Sequence, residues 1–105
     1  MDKLNVAIAD DNDLMRQLLD TIVQSDEELS VVGTAKDGEE AYQMIKEKEP
    51  DVVLLDIIMP KMDGITVMEK LNEDPSVRKR PAFIIISAVG QEPVSYTHLR
   101  AHETL

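Results

Sequence analysis

The sequence predicts a doubly wound α/β fold, in which a parallel sheet is covered by helices on both faces. Four short apolar blocks, rich in β-branched residues, alternate with segments of helical periodicity along the 105-residue chain. Continuous apolar runs of this length are typical of strands that are buried on both faces. Because strands and helices alternate, right-handed crossovers and parallel strands are expected within one domain.

The four apolar blocks are expected to form the strands of the sheet. They are, in chain order, residues 6–9, 29–35, 52–55 and 82–86. Gly33 weakens the second block as a strand. The other three blocks run directly into polar residues: Asp10 and Asp11 after the first, Asp56 after the third and Ser87 after the fourth.

Three segments between the blocks are expected to be helices. The first begins at a cap formed by Asn12 or Asp13. Two adjacent rows with i, i+4, i+8 spacing give it one broad apolar stripe: Leu14, Leu18 and Ile22 beside Met15, Leu19 and Val23. The second helix runs from Glu39 to Lys48, where Pro50 stops its continuation, and the third runs from Gly64 to Asn72.

Composition excludes several classes of function. With 11 Lys and Arg against 21 Asp and Glu, the net charge of −10 disfavours binding to nucleic acid or to anionic membranes. The absence of cysteine excludes disulfides, thiolate chemistry and zinc–sulfur sites. The start of the chain is not a signal peptide, and no apolar run approaches the roughly 18 residues of a membrane span. The chain is therefore expected to be soluble and cytoplasmic.

The residues that end the strands are the strongest candidates for chemistry. Ligands of open parallel sheets bind beyond the carboxyl ends of the strands. If the first and third strands are neighbours, the carboxylates of Asp10, Asp11 and Asp56 share one pocket. Such a cluster favours a hard divalent cation such as Mg²⁺, which relieves the repulsion. Asp56 can then attack a phosphoryl group to form an acyl phosphate, and the Ser87 hydroxyl can donate a hydrogen bond to it.

Simpler structural interpretations exist for these and other polar residues. An Asp-Asp pair after a strand also serves as a turn and helix cap, and a polar residue at the end of a strand is often a loop residue. Asp63 is expected to cap the third helix, and Asp37 with Gly38 to form a turn before the second. His98 and His102 have the i, i+4 spacing of a metal pair but lack a third ligand nearby, so a solvated tail is expected.

Three segments together resemble the receiver domain of bacterial two-component response regulators. They are residues 9–12 (ADDN), 51–64 (DVVLLDIIMPKMDG) and 86–88 (ISA). The resemblance covers about residues 3–93, and it is greatest to receivers that control the initiation of sporulation. It implies a flavodoxin-like parallel sheet with the strand order 2-1-3-4.

The resemblance also implies a role for each candidate residue. Asp56 corresponds to the phosphoacceptor, so the domain accepts a phosphoryl group on itself and is not a turnover enzyme. Asp11 corresponds to a direct Mg²⁺ ligand, and Asp10 acts largely through water. The backbone carbonyl of Ile58 corresponds to the third protein ligand, and Ser87 to the hydroxyl that switches its loop.

The partners implied by the resemblance are signalling proteins. The phosphoryl donor is a phosphohistidine on a histidine kinase or phosphotransfer protein, which docks on the first helix around Leu14, Met15 and Leu18. Phosphorylation is expected to expose a face for homodimerisation. A DNA-binding output domain outside this chain then regulates transcription, so the chain itself contacts neither nucleic acid nor membrane.

The sequence departs from the family pattern after Ser87. The family carries a lysine at the end of a fifth strand, whereas the last lysine here is Lys79, and Tyr96 is out of register with the family's switch aromatic. We therefore expect a receiver domain over residues 1–93 that is truncated before the fifth strand. Residues 94–105 are expected to be a tail foreign to the family.

Two other functions compete with a phosphoaccepting receiver. A Mg²⁺-dependent aspartyl phosphatase or mutase needs a second Asp two residues after the nucleophile, where this chain has Ile58. A pseudo-receiver that only binds partners is favoured by the missing lysine and disfavoured by the three acidic residues. Flavin binding is excluded because the first strand ends in carboxylates instead of a phosphate-binding loop.

Overall fold

A four-stranded parallel sheet forms the centre of the computed structural model, which describes residues 3–86. The strands are β1 (Leu4–Ala9), β2 (Leu29–Ala35), β3 (Val52–Asp56) and β4 (Ala82–Ile86). Every pairing is parallel and the order is β2-β1-β3-β4, which confirms the predicted doubly wound sheet. Because β1 and β3 are neighbours, the residues that end them meet at one edge.

Several predicted features lie outside the described residues. These are Ser87, the absence of a fifth strand, the paired histidines His98 and His102, and the boundary between receiver and tail near residue 93. They stay predictions from the sequence.

Each of the three helices begins at an Asn or Asp cap. The helices are α1 (Asp13–Gln24), α2 (Gly38–Lys48) and α3 (Gly64–Glu73). The capping side chains of Asn12, Asp37 and Asp63 accept hydrogen bonds from the third amide that follows them. The helix limits agree with the sequence prediction to within one residue. None of these helices has the length and apolar content needed to span a bilayer.

The sheet separates two apolar cores of unequal size. The larger core lies between the sheet and the helices α2 and α3, where Ile45, Val53 and Leu55 are fully buried. The smaller core lies under α1 and centres on Ile8 and Val23. The large core anchors β3, the strand that ends in Asp56.

The two rows of the apolar stripe on α1 differ in their exposure to solvent. In one row Val23 is buried and Leu19 packs against the smaller core, while Met15 is half-buried. The second row, formed by Leu14, Leu18 and Ile22, is exposed at 77%, 53% and 54%. The two rows lie about 100° apart around the helix, and only one of them faces the sheet. The name "exposed α1 row" is used below for Leu14, Leu18 and Ile22.

Gly33 lies in β2 beside a local irregularity of the sheet. Val6 pairs with Val31 and Ala7 pairs with Gly33, so β2 carries one extra residue between these pairs. A Cβ at Gly33 would lie 2.8 Å from Sδ of Met44. Because that atom belongs to a flexible side chain, a small movement of the Met44 side chain can accommodate a methyl group at position 33.

Shortening a leucine in the large core is expected to destabilise the fold more than the same change on α1. Leu71 is only 2% exposed, so Leu71→Ala should lower the free energy of unfolding by about 2–5 kcal/mol. Leu18→Ala is the matched control and should lower it by less than about 1 kcal/mol, because much of this side chain is already in water. Urea denaturation followed by circular dichroism measures both values. Equal losses would contradict the exposed position of Leu18.

Candidate metal site

Three carboxylates converge at the carboxyl edge of the sheet. Asp10 and Asp11 follow β1, Asp56 ends β3, and one carboxylate oxygen from each lies within 4.8 Å of the others. Asp10 and Asp56 are 1% and 5% exposed, whereas Asp11 is open to solvent. The predicted convergence is therefore confirmed. It follows from the adjacency of β1 and β3.

Asp10 carries an oxygen that no protein group satisfies within residues 3–86. Its Oδ1 accepts a hydrogen bond of 2.9 Å from the amide of Asn12, while its buried Oδ2 has no hydrogen-bond partner. A buried acceptor without a donor is strongly unfavourable. A cation beside Oδ2 would relieve this penalty, so the cluster fits a metal site better than a structural turn alone.

The pKa of Asp56 is raised to about 6, well above the ordinary value of an aspartate. Burial is the main cause, and the negative charges of Asp10 and Asp11 add to it. The amide of Ile58 donates to Oδ1 of Asp56 at 3.2 Å and opposes the shift by stabilising the charged form. The cluster thus holds a carboxyl group that loses its proton less readily than an ordinary aspartate.

The side chain of Arg16 fixes the loop that carries the two β1 aspartates. Its Nη1 donates a 2.8 Å hydrogen bond to the backbone oxygen of Asp10, and its Nη2 pairs with Asp13. The sequence did not predict this role for Arg16. An arginine early in the helix after the Asp pair is the only signal for it, and an arginine whose side chain lies in solvent would look the same in a single sequence.

The loop between β3 and α3 is held closely against Asp56. Gly64 donates its amide to the carbonyl of Ile57 at 2.7 Å, and a Cβ on Gly64 would lie 2.5 Å from the backbone oxygen of Asp56. Only glycine allows α3 to begin this close to the end of β3. Asp63 caps α3 as predicted, and the side chain of Ile58 is exposed.

The ligand chemistry of this edge suits a hard divalent cation. Asp10, Asp11 and Asp56 offer only oxygen donors, and oxygen ligands are those that Mg²⁺ prefers. The backbone carbonyl of Ile58, predicted as a further ligand, belongs to a residue whose amide already contacts Asp56. Nothing in this donor set favours a softer metal.

The predicted docking residues on α1 lie close to the acidic cluster in the chain. Leu14 is the third residue after Asp11, and Leu14 and Leu18 are exposed as part of the exposed α1 row. Met15, the third predicted docking residue, is half-buried. Two of the three residues therefore offer an accessible apolar surface.

Comparisons with known proteins agree on one family. The sequence model of the response regulator receiver domain family matches residues 6–103 of the chain. The signal receiver domain of NarL from Mycobacterium tuberculosis is 33% identical with a TM-score of 0.77, over 95% of this chain and 78% of that one. The response regulator domain of Thermotoga maritima CheB is 33% identical with a TM-score of 0.74, over 93% and 72%. A chain of the CheX–CheY–BeF3–Mg²⁺ complex of Borrelia burgdorferi is 38% identical with a TM-score of 0.70, over 94% and 72%.

Replacing Asp56 with Asn is expected to stabilise the metal-free protein at neutral pH. A carboxyl whose pKa rises on folding stabilises the fold below its unfolded pKa, and this contribution disappears as pH rises through about 6. In chelator near neutral pH, Asp56→Asn should unfold with a free energy about 1–2 kcal/mol higher than wild type, allowing for solvent screening. The difference should vanish below about pH 4. Denaturant titrations across this pH range measure it.

Asp51→Asn provides a control of opposite sign. Lys79 at 2.6 Å and the amide of Asn5 at 2.7 Å lower the pKa of Asp51, so its contribution to stability is present at neutral pH and lost as pH falls. This variant should therefore be less stable than wild type at neutral pH. A loss of stability at neutral pH in Asp56→Asn as well would contradict the buried, charge-repelled environment described for Asp56.

Proposed function

The chain belongs to the response regulator receiver domain family, and we propose that it is the phosphoaccepting module of a two-component phosphorelay, with Asp56 as the acceptor. The observation that carries this proposal is the burial of Asp56 at the end of β3, within 4.8 Å of two further carboxylates. A structural role alone does not account for three acidic groups brought so close together.

The proposed reaction transfers a phosphoryl group from a phosphohistidine to Asp56. An ionised carboxylate oxygen of Asp56 attacks phosphorus, the N–P bond breaks, and the imidazole leaves with the bonding electrons. When bound, Mg²⁺ supplies positive charge that neutralises the phosphoryl oxygens and keeps the attacking and leaving groups in line. The amide of Ile58 orients Asp56 through its hydrogen bond to Oδ1.

The other acidic residues are proposed to hold the cation. Asp11 is exposed and suits a direct ligand, while Oδ2 of Asp10, which has no partner within residues 3–86, suits a contact through a bound water. The carbonyl of Ile58 is proposed as the third protein ligand. Ser87, which lies outside the described residues, is proposed as the hydroxyl that donates a hydrogen bond to a phosphoryl oxygen and moves its loop.

A more specific part of the proposal concerns the signalling pathway and the output domain that this receiver controls. The resemblance to the receiver of the master regulator of sporulation initiation, stage 0 sporulation protein A, supports a role in transcriptional control of sporulation in the cytoplasm. Under this proposal phosphorylation at Asp56 promotes homodimerisation and releases a DNA-binding output domain. The motifs at residues 9–12, 32–35 and 90–92 support it.

A phosphatase-like enzyme is a weaker candidate. Its acid–base residue would occupy position 58, where the exposed side chain of Ile58 can move no proton. A pseudo-receiver without phosphorylation is also weaker, because such a protein has no use for a buried oxygen on Asp10 that nothing in residues 3–86 satisfies. A pseudo-receiver predicts that Asp56 stays unmodified, whereas a phosphatase would form the aspartyl phosphate only as an intermediate that it hydrolyses.

Phosphorylation of Asp56 is tested most directly with a small-molecule donor. Incubation with acetyl phosphate and Mg²⁺ should add about 80 Da to the intact mass of the wild type and nothing to Asp56→Asn. Asp51→Asn, which changes an aspartate at the opposite end of β3, should still be labelled. A wild type that gains no mass, or an Asp56→Asn variant that does, would contradict the proposal.

The exposed α1 row is expected to govern transfer from protein donors only. Replacing both Leu14 and Leu18 with Ala should slow transfer from a phosphorylated histidine phosphotransfer domain about tenfold or more, because exposed apolar anchors dominate such interfaces. Labelling by acetyl phosphate should stay unchanged. Ile65→Ala, at a comparably exposed isoleucine on α3, is the control and should alter neither rate. Equal slowing with both donors would place the defect in the site instead of in docking.

A further inference from the structure

The start of α2 is in direct contact with the loop that follows Asp56. A Cβ added to Gly38 would lie 1.7 Å from the backbone oxygen of Met62 and 2.6 Å from its Cβ. The amide of Gly38 also lies 3.5 Å from the carbonyl of Pro60, to which it donates. The first residue of α2 and the turn at residues 60–62 therefore touch through their backbones.

The turn at residues 60–62 has a conformation that needs outside support. The amide of Met62 donates to the carbonyl of Pro60 at 2.7 Å, and Lys61 between them has a φ of 69°, in the left-handed region. Residues other than glycine are strained there and persist only where their surroundings hold them. The ammonium of Lys61 lies 3.8 Å from the buried carboxylate of Asp37, which supplies such support.

Asp37 joins this contact to the helix behind it. Its Oδ1 caps α2 by accepting a 2.9 Å hydrogen bond from the amide of Glu40, and its Oδ2 faces Lys61. The carboxylate is 4% exposed. The anchored end of α2 and the turn are thus connected by one short, buried side chain and one backbone contact.

We propose that the Asp37–Gly38 junction is a positioning element for the metal site, which sets the place of the Ile58 carbonyl relative to Asp56 by holding the turn at residues 60–62. This inference rests on the proposed function, because it assumes that the acidic cluster binds Mg²⁺. The loop between β3 and α3 is held at its other end where Gly64 meets the backbone oxygen of Asp56. Contact at both ends leaves the segment around Ile58 little freedom.

Helix formation does not account for glycine at position 38. The backbone of Gly38 does not have a positive φ, and an alanine in the first turn of α2 would favour the helix. The space for a side chain is blocked by Met62 and not by the apolar core. The one described feature that requires glycine here is therefore the approach of the loop that follows Asp56.

The test compares Gly38→Ala with Gly33→Ala in the full 105-residue chain. Both variants add one methyl group, but the methyl at position 38 meets the backbone of Met62, whereas the methyl at position 33 meets the flexible side chain of Met44. Calorimetric titration with Mg²⁺ alone should show at least fivefold weaker binding for Gly38→Ala and less than a twofold change for Gly33→Ala. Urea denaturation of both variants reports their stability separately from binding. Equal Mg²⁺ affinity in the two folded variants would overturn the inference.

A measurement on the wild type keeps the inference testable if Gly38→Ala does not fold. Coupling between two sites is reciprocal, so Mg²⁺ should strengthen the contact that positions its ligand. Saturating Mg²⁺ should slow hydrogen exchange of the Gly38 amide, which donates to Pro60, at least threefold and leave the Gly33 amide unchanged. Exchange at Gly38 that does not respond to bound Mg²⁺ would overturn the inference.

The failure of this inference differs from the failure of the proposed function. If the wild type neither binds Mg²⁺ nor gains mass at Asp56, the proposed function is wrong, and the positioning role is wrong with it. If the wild type binds Mg²⁺ and is labelled while Gly38→Ala behaves like Gly33→Ala, only the positioning role is wrong.

Discussion

The repulsion among three carboxylates at one edge of the sheet is the constraint on which the rest of this structure depends. Asp10 and Asp56 are almost fully buried, and the pKa of Asp56 is raised to about 6 because ionisation is unfavourable there. A fold tolerates such a site only when other interactions outweigh its penalty. The large core under β3 supplies them, since Val53 and Leu55 are fully buried directly before Asp56. The strand that ends in Asp56 is therefore firmly anchored in the large core.

The loops at this edge are restrained by contacts that a simple connection would not need. Arg16 donates to the carbonyl of Asp10 and holds the loop after β1. Gly64 packs on the backbone of Asp56, and Gly38 packs on the turn at residues 60–62. These contacts hold the carboxylates together despite their repulsion, and they limit the freedom with which the loops could move apart. A cation that binds such a site meets ligands that are already in place, so little ordering of the chain opposes binding.

The sequence predicted the elements of this molecule better than the contacts between them. Strand positions followed from continuous apolar runs and two helix starts from Asn12 and Asp63, because both signals are local. Asp37 was expected in a turn with Gly38, whereas it caps α2 and Gly38 is the first residue of that helix. The convergence of Asp10 with Asp56 followed from a topological rule for parallel sheets. The exposure of Leu14 and the contact between Gly38 and Met62 depend on how elements pack, and the latter joins residues 24 positions apart. No periodicity in a single sequence encodes such a contact.

The acidic cluster and the exposed α1 row beside it both bear on how a partner is recognised. A phosphorylated donor is anionic, and the pocket it must approach contains three carboxylates in a chain of net charge −10. Long-range electrostatics therefore oppose the encounter unless the partner carries a basic patch. The exposed α1 row begins three residues after Asp11 and offers apolar contact that does not depend on charge. Under the proposed function, Leu14 and Leu18 would hold a donor next to the pocket, while a cation bound in the pocket would reduce the local repulsion. Within the proposed function, docking depends on apolar contact and phosphoryl transfer depends on charge, so the two can be altered separately. They are nevertheless close in space, because α1 begins directly after the loop that carries Asp10 and Asp11.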